Sequence, residues 1–591
     1  MSPGLRGKSL RLIIAATAVA TSLQGLSVAA NAQSASPRPS GESSENTENR
    51  AEPKRESSAW TLQTPLGAHL KSEIDTLLYN YQRRSIPSLV SDAYASTGNM
   101  GGEGLNMIYM ERNLPSPFFF DTSLDTWTTS LAKQKLYNVY IPMTLLSYNF
   151  GGNRLDRTDR LNAQFAGNVN RNIGVSAFVD YLYSKGCYQN QAAKDFSWGA
   201  GFYYTGHRYE VQALYNHLYD LNKENGGITD DLYITDPAEL QGGIDKIEPH
   251  SIPTRLSATH NRLTGTQFFM THAYKIGFWD KEQVNDTLTR DIYVPVTKII
   301  YSLQYEDRHR FFINTNPRDA VEFWDHRYFN PDETREHTRY WSLSNTIGLE
   351  MIEGFRKWAK FGLSAYVTYQ YRRFRQPTDL PMSLPQPSDT PGETSPPADS
   401  GDLENLTPLP AGLNISPRSN QSLVWAGGRL AKTQGSILQY SADAKFGIAG
   451  DAAGEIDLRG DITTHFKMLG DTVGLSAEAR FSNLTPSWFE REYISNHFVW
   501  KNDFGKIRRF RVGGELQIPW TRTTISAAVE NTQNYIYFDA SSLPQQYGSN
   551  IQVFSARLQQ DFHFGIWNWR NTITYQATSN KDMIQLPDLD I

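Results

Sequence analysis

Apolar and polar residues alternate through the stretch from Gly454 to Phe481. One face of its first half carries Ile456, Leu458, Gly460, Ile462, Thr464, Phe466 and Met468, and the other face carries Glu455, Asp457, Arg459, Asp461, Thr463, His465 and Lys467. After a break at 469–471, a second apolar face comprises Val473, Leu475, Ala477, Ala479 and Phe481. A period of two predicts two strands joined by a tight turn. Their length and pattern are typical of strands that cross a membrane within a closed barrel.

The same alternation recurs along the chain, which favours a membrane barrel over a single long hairpin of a soluble sheet. We count seventeen candidate strands from Leu136 to Thr578, beginning with Leu136–Asn149. Short connections at 170–171, 206–208, 353–356, 432–436, 469–471, 520–523 and 565–570 alternate with mostly longer ones at 184–195, 222–259, 306–338, 375–421, 485–506 and 539–550. A transmembrane barrel has this asymmetry, with short periplasmic turns and long external loops. We therefore predict an all-β fold, a transmembrane antiparallel up-and-down β-barrel with about 16–18 visible strands.

Three stretches precede the predicted barrel. Residues 1–32 have the features of a signal peptide, because basic residues precede a mildly apolar run and Ala30–Ala32 fits a cleavage site. Residues 33–59 are polar and low in complexity, so we expect a disordered linker. Residues 60–135 lack regular alternation and are predicted to be an N-terminal segment, either a plug in the lumen or a periplasmic unit. The barrel is assigned to residues 136–591, and its Pro/Ser/Thr-rich 375–421 loop is expected to be mobile.

Composition agrees with this assignment and argues against other classes. The 57 Lys and Arg residues against 62 Asp and Glu residues give a net charge of −5, so nothing indicates a nucleic-acid partner. A hydrophobic content of 39% excludes a bundle of transmembrane helices, whereas a barrel needs only one apolar face on each strand. The aromatic content of 12% suits interfacial girdles. Cys187 is the one cysteine, so one chain holds no disulfide framework.

Five segments carry a family resemblance: IDTLLYNYQR (Ile74–Arg83), STGNMG (Ser96–Gly101) with Arg112 and Phe118–Phe120 after it, GFRKWAKFGLSAY (Gly354–Tyr366), PSWFEREYISNHFVWKNDF (Pro486–Phe504) and IQLPDL (Ile584–Leu589). They resemble the putative porin family of Bacteroidetes outer membranes, from about Trp60 to the end of the chain. The resemblance implies an outer-membrane barrel with a role in transport. Family members continue beyond the LPDL segment with more strands, whereas this sequence stops at Ile591.

The strand count and the resemblance together predict a barrel that is incomplete at its C-terminus. Bacterial single-chain barrels have an even number of strands, and an odd count leaves unpaired backbone groups in lipid. We therefore expect an unpaired edge along Asn571–Thr578, or an imperfect seam between that strand and Leu136–Asn149.

Three sets of residues invite a catalytic or metal-binding interpretation: Ser495, Asn496 and His497 with Glu490 and Glu492; the loop acids Asp230, Asp231, Asp236 and Glu239; and Asp461 with His465. Adjacency in sequence does not create the Ser–His contact that nucleophilic catalysis needs, so we favour a role in loop packing for the first set. The loop acids lack the ligand spacing of an EF-hand. Asp461 and His465 share a charged face, as expected of any water-filled barrel. We predict no enzyme activity, no metal and no cofactor.

The polar face of the strands is predicted to line the lumen, because lipid requires apolar groups on the other face. The pore-lining candidates are Arg459, Arg480, Arg509, Arg511 and Arg557 together with Asp457, Asp461, Glu478, Glu515 and Asp561. A wall of both signs argues against strong ion selectivity, and Arg509 and Arg511 are the best candidates for a bias towards anions.

These patterns predict an outer-membrane channel for passive diffusion of small hydrophilic solutes. Two alternatives remain open: a barrel that imports a specific ligand or scaffolds partners, and, least favoured, a barrel hydrolase. The expected partners are outer-membrane lipid and small hydrophilic solutes, not nucleic acid; a homo-oligomer or an outer-membrane lipoprotein partner is left open. The expected location is the outer membrane of a Gram-negative cell, reached through a cleaved signal peptide.

Overall fold

The structure is a computed structural model of the 591-residue chain. It describes residues 57–74, 90–114, 116–240, 242–243, 245–285, 288–377, 406–410, 413–468 and 470–591. The predicted signal peptide, most of the predicted linker, most of IDTLLYNYQR and most of the 375–421 loop lie outside these residues. Within the described ranges, no helix has the length and apolar character needed to cross a membrane.

The strands before the barrel are β1 (Ser58–Gln63), β2 (Ala68–Ser72), β3 (Tyr94–Ser96), β4 (Gly104–Asn106) and β5 (Leu136–Asn138). They are followed by β6 (Met143–Gly151), β7 (Thr158–Asn170), β8 (Ile173–Ser184), β9 (Ala193–Thr205), β10 (Tyr209–Glu224), β11 (Thr259–Asn285), β12 (Leu288–Asn314), β13 (Thr334–Met351), β14 (Gly362–Arg375), β15 (Arg418–Lys432), β16 (Leu438–Gly450), β17 (Ile456–Met468) and β18 (Asp471–Leu484). The remaining strands are β19 (Glu492–Ile494), β20 (Val499–Lys501), β21 (Ile507–Ile518), β22 (Thr523–Phe538), β23 (Pro544–Phe564), β24 (Trp567–Thr578) and β25 (Leu589–Asp590).

The helices among the described residues are few and short, and they lie outside the barrel strands. The α-helices are α1 (Leu232–Thr235), α2 (Pro237–Leu240), α3 (Pro317–Phe323) and α4 (Trp488–Arg491), and the 3-10 turns span Tyr109–Glu111, Phe119–Leu124 and Pro249–Ser251. Asn316 caps α3 by accepting a hydrogen bond from the Arg318 backbone N–H.

Strands β6–β18 and β21–β25 form one closed antiparallel barrel of 18 strands, in which each strand pairs with its neighbours along the chain. The predicted fold class is confirmed. Alternation sets the two faces: Ile462 is opposite Ala477 and Asp461 is opposite Glu478 across the β17–β18 pair. Ile462, Phe466 and Leu475 expose 44%, 40% and 42% of their surface on the outer side, where lipid replaces water.

Connection lengths differ between the two ends of the barrel, as predicted from sequence. At one end the connections include 171–172, 206–208, 433–437, 519–522 and 565–566, and at the other they include 225–258, 315–333, 376–417 and 485–506. We call these the short-turn end and the long-loop end. The connections 451–455 and 539–543 are short although they lie at the long-loop end.

Three predictions of strand bounds were wrong in detail. Leu136–Asn149 is not one strand: Leu136–Asn138 pairs with β1, and the barrel strand begins at Met143, just after Pro142. Proline lacks a backbone N–H and interrupts a ladder, which separates the two pieces. The predicted 306–338 and 539–550 connections are also too long, because β12 continues to Asn314, β13 begins at Thr334 and β23 begins at Pro544.

The seam that closes the barrel is much shorter than the other strand pairings. β24 pairs with β25 through Thr574–Asp590 and Tyr575–Leu589 alone, and β25 lies next to β6. By comparison, β17 pairs with β18 along its full length from Ile456 to Met468. The sheet therefore closes through an eighteenth strand, β25, that the count of seventeen missed, and β25 rather than the predicted first strand pairs with the 571–578 edge, at Thr574 and Tyr575.

Candidate functional site

The described residues between 58 and 138, here called the inner segment, lie inside the barrel. Their side chains and backbone contact inward-facing groups on thirteen strands: β7–β15 and β21–β24. A single segment reaches strands all round a closed barrel only from within. We predicted either this placement or a periplasmic one from the sequence.

One part of the inner segment packs against β9–β15 through an apolar core. Leu62, Leu131 and Leu136 form a buried cluster with Tyr203, Leu214 and Phe269, and Leu66 forms another with Ala273, Ile300 and Tyr366. Trp60 donates its indole N–H to Gln212 at 3.0 Å. Burial of this apolar surface holds the segment against the wall.

Close approach of the two layers depends on glycine at two positions. Gly67 has a φ of +74°, and a Cβ there would lie 2.7 Å from Thr271 Cγ2 on β11. Gly101 has a φ of +80°, and a Cβ there would lie 2.6 Å from Asp195 Oδ2 on β9. Any other residue would be strained in backbone conformation and would push the inner segment away from the wall.

The other part of the inner segment binds β21–β24 through polar contacts. Arg557 forms ion pairs with Glu111, at 2.7 Å, and with Asp92. Arg511 binds Glu530 at 2.7 Å and donates a second hydrogen bond to the Met110 carbonyl at 2.8 Å. The charges of these two predicted pore-lining arginines are therefore balanced by carboxylates.

Tyr109 sits at the centre of these contacts. Its hydroxyl donates to Glu530 at 2.9 Å, and its backbone N–H donates to Gln576 Oε1 at 2.9 Å. The Gln576 side-chain amide in turn donates to the Met107 carbonyl. Arg509 lies near Tyr109 and Glu490, close enough for its charge to act on both. This side of the lumen is closed by the inner segment.

The remaining candidates divide into paired and open groups. Asp457 pairs with Arg480 at 3.3 Å, Asp561 pairs with Arg570 at 3.0 Å, and Glu515 accepts a hydrogen bond from Gln517 at 2.6 Å. Arg459, Asp461 and Glu478 are exposed on the inward faces of β17 and β18. Exposed His465 and Lys467 follow on the same face of β17 towards the short-turn end. We call the inward faces of β17 and β18 the open sector.

Sequence reasoning missed several residues at this site, for two different reasons. Glu530 lies on the opposite face of β22 from the apolar residues Ala527 and Val529, so extending the alternation to this strand would have found it. Asp92, Tyr109 and Glu111 come from the irregular inner segment, where no periodic pattern marks the inward direction.

The long-loop end is covered on one side by the 485–506 connection. α4 and the β19–β20 hairpin bring Trp488, Phe489 and Tyr493 into a buried cluster with Phe118 of the inner segment and Phe374 of β14. Ser487 and Glu490 form a capping box at the start of α4. Burial raises the pKa of the Glu490 carboxyl, and the hydrogen bond that this carboxyl accepts from the Ser487 N–H lowers the pKa in part.

The Ser495–His497 motif fixes this connection to its neighbour. The Asn496 amide accepts from the Phe329 and Asn330 N–H groups. His497 Nδ1 donates to the His326 carbonyl at 2.8 Å, its Nε2 accepts from the Thr334 hydroxyl at 2.6 Å, and its ring stacks on Trp324. Burial lowers the pKa of the His497 imidazole to about 4.

These contacts engage the members of the candidate catalytic set with other groups instead of with each other. Both ring nitrogens of His497 are occupied by groups other than Ser495, whose hydroxyl donates to the Phe498 carbonyl. Glu490 accepts from Ser487, and Glu492 accepts from the Ser416 N–H. The arrangement is that of a docked loop, in agreement with the loop-packing interpretation.

The loop acids lie together around α1 and α2 without converging. Asp230 accepts a hydrogen bond from the Leu232 N–H, and Asp231, Asp236 and Glu239 are exposed at the same connection. In the part of the chain that the structure describes, no three His, Cys, Asp or Glu side chains come close enough to hold a metal ion.

A closed barrel with an apolar outer face and a charged, partly occupied lumen defines a transmembrane β-barrel of the outer-membrane type. The family model described as "Putative porin" matches residues 57–591, and the chain belongs to this family. No curated protein matches the chain.

Several solved outer-membrane structures are similar in fold. The siderophore receptor PirA from Acinetobacter baumannii is 10% identical, with a TM-score of 0.45 over 74% of this chain and 62% of that one. A variant of the ferric enterobactin receptor PfeA from Pseudomonas aeruginosa is 11% identical, with a TM-score of 0.46 and the same coverage. The copper transporter OprC is 11% identical, with a TM-score of 0.43 over 74% of this chain and 61% of that one. The chain thus spans less than two thirds of these relatives.

Proposed function

We propose that the protein is an outer-membrane channel through which small hydrophilic solutes diffuse along the open sector. In this proposal the inner segment is a fixed constriction that fills the rest of the lumen. A Gram-negative cell of the Bacteroidetes, export by a cleaved signal peptide, and an orientation with the long-loop end outside belong to the same proposal. We propose no catalytic role.

The observation that supports this function is the uneven covering of the inward wall. On β9–β15 and β21–β24 the inward groups meet the inner segment, whereas Arg459, Asp461 and Glu478 stay exposed on β17 and β18. Charged side chains tolerate an inward position when water reaches them. A water-filled path beside a fixed segment explains why some strands contact the inner segment whereas the charged residues of β17 and β18 stay exposed.

Charge reversal in the open sector tests the proposal. Asp461 and Glu478 lie directly opposite each other on adjacent strands. In planar bilayers, the double substitution Asp461→Lys with Glu478→Lys should move the reversal potential in a salt gradient towards anion preference. Asp280→Lys is the matched control, because Asp280 is exposed on β11 where the strand extends past its neighbour β10. An unchanged reversal potential in the double variant would contradict a path along β17 and β18.

A specific observation favours the second candidate, a ligand-specific importer whose inner segment must move before solute passes. The segment contacts thirteen strands and buries an apolar core, as a removable plug would. Single-channel recording on the wild type separates the two candidates. Steady conductance favours the fixed constriction, and a silent barrel that conducts only after the inner segment is released favours the importer.

A further inference from the structure

Three arginines form a row across the outer face of the barrel near its long-loop end. Arg339 on β13 lies directly opposite Arg375 on β14, and Arg375 lies directly opposite Arg418 on β15. Arg373 lies two residues before Arg375 on the same face and donates to Asn420 at 3.0 Å. Like charges directly opposite on neighbouring strands repel each other, so this row needs a counter-charge.

The described part of the chain supplies little of that charge. Asp307 holds Arg339 through two hydrogen bonds of 2.8 Å and also faces His309 at 3.2 Å. Four arginines against this one carboxylate leave a local excess of 4 − 1 = +3. The Arg375 Nε atom is buried and meets no hydrogen-bond partner among the described residues.

Two other acids at the long-loop end are already engaged. Glu333 pairs with Arg335 at 3.0 Å, and Glu492 accepts a hydrogen bond from the Ser416 N–H. Arg373 and Arg418 remain exposed. The row therefore presents donors outward, at the surface that surrounds the barrel.

The height of the row matches a lipid headgroup. Tyr305, Trp341 and Tyr371 lie below it on the same face, with ring centroids 5.9–6.0 Å apart from Trp341 to each tyrosine. Below these aromatics the outer face is apolar, and Ile347 and Val367 expose 64% and 50% of their surface. Aromatic girdles mark the boundary between hydrocarbon and headgroups, so the arginines lie one step beyond it.

We infer that this row binds the phosphate groups of an outer-leaflet glycolipid, the lipid A part of lipopolysaccharide. Guanidinium groups bind phosphate through two parallel hydrogen bonds, and a phosphate between Arg375 and Arg418 neutralises their repulsion. The acyl chains then lie along the apolar face below the girdle. The inference rests on the proposed orientation, with the long-loop end outside.

Native mass spectrometry of the detergent-purified protein tests this site directly. Bis-phosphorylated lipid A should remain bound to the wild type, and the variant Arg375→Gln with Arg418→Gln should bind it at least about tenfold more weakly. Arg508→Gln should bind it as the wild type does, because Arg508 is exposed on the outer face of β21 opposite the uncharged Asn483 and Gln533. Equal binding by the double variant would overturn the inference.

Two further binding measurements identify the ligand, and a single variant replaces the double variant if the latter does not fold. Dephosphorylated lipid A should bind the wild type weakly; equal binding would mean that acyl chains alone are recognised. Inorganic phosphate should not compete; full competition would point to a soluble anion instead of a lipid. Arg418→Gln alone, at an exposed strand end, gives the same comparison if the double variant does not fold. Conductance plays no part in these measurements, so a failure of the channel proposal remains distinguishable.

Discussion

Ile462 and Thr463 are consecutive residues of β17 that face opposite sides of the barrel wall. Ile462 exposes 44% of its surface to the lipid side, and Thr463 belongs to the open sector. Arg at position 462 should lower the free energy of unfolding by about 2–4 kcal/mol if it lies near the bilayer midplane, whereas Arg at 463 should be nearly neutral. Denaturant titration of the two variants in lipid vesicles measures the difference. Equal stability of the two variants would mean that the faces are assigned wrongly.

Arg557 is a single residue that ties the inner segment to the barrel wall. Arg557→Gln removes its ion pairs with Glu111 and Asp92, which are partly shielded from water. We expect local opening of residues 90–112 to become about tenfold more frequent, corresponding to a loss of about 1–2 kcal/mol. Hydrogen exchange of peptides from this region measures the opening.

Arg570→Gln is the matched control for that experiment. Arg570 pairs with Asp561, so its ion pair joins two barrel strands and leaves the inner segment untouched. An equal increase in exchange for both variants would show a general loosening of the barrel.

Individual residues also show what an alternating pattern can predict and what it cannot. Alternation separated Ile462 and Phe466 from Arg459 and Asp461, because the two faces of a strand alternate and lipid tolerates only an apolar face. It could not reveal that Arg557 binds Glu111, which is 446 positions earlier in the chain. Periodicity assigns a side chain to a face, but it carries no information about what lies against that face.

At the scale of elements, the docked β19–β20 hairpin should respond to pH through His497. An ordinary histidine has a pKa of about 6.5, whereas burial lowers the pKa of His497 to about 4. Between these values the undocked hairpin binds a proton that the docked one does not, so docking weakens as the pH falls from 6.5 to 4. The loss reaches about 3 kcal/mol at the lower end, and full stability is present above about pH 6.5.

Proteolysis of residues 488–504 at about pH 7 and about pH 4 checks this expectation. Cleavage of the wild type should accelerate at the lower pH. His497→Gln cannot titrate in this range, so its cleavage rate should depend much less on pH. Parallel pH dependence in both proteins would assign the effect to another group.

Element boundaries were predictable where one face meets lipid and were less so elsewhere. Within β17 and β18 the alternating pattern fixed both strands and the turn between them. Around Leu136 the pattern failed, because Leu136 and Tyr137 are both buried and belong to a strand covered on two sides. Pro142 was the available signal that this strand ends before the barrel begins.

For the whole molecule, the seam is the weakest part of the sheet. Only Thr574 and Tyr575 of β24 pair with β25, so along the rest of this edge β24 has no strand partner among the described residues. Backbone N–H groups on the seam side of residues 567–573 should exchange faster than those of β17, which has paired neighbours on both sides. Hydrogen exchange in detergent micelles compares the two peptides. Equal protection would mean that the edge is covered in solution.

The position of the inner segment inside a closed ring also imposes an order on folding. Every barrel pairing except the seam joins neighbours along the chain, so the sheet can grow hairpin by hairpin with small losses of loop entropy. Closure joins β6 and β25, whose first residues are 589 − 143 = 446 positions apart, and it carries the largest entropic cost. We expect the curling sheet to form around the inner segment before the ring closes, since the segment contacts thirteen strands. Pulse labelling during refolding would then protect Trp60 no later than Leu589.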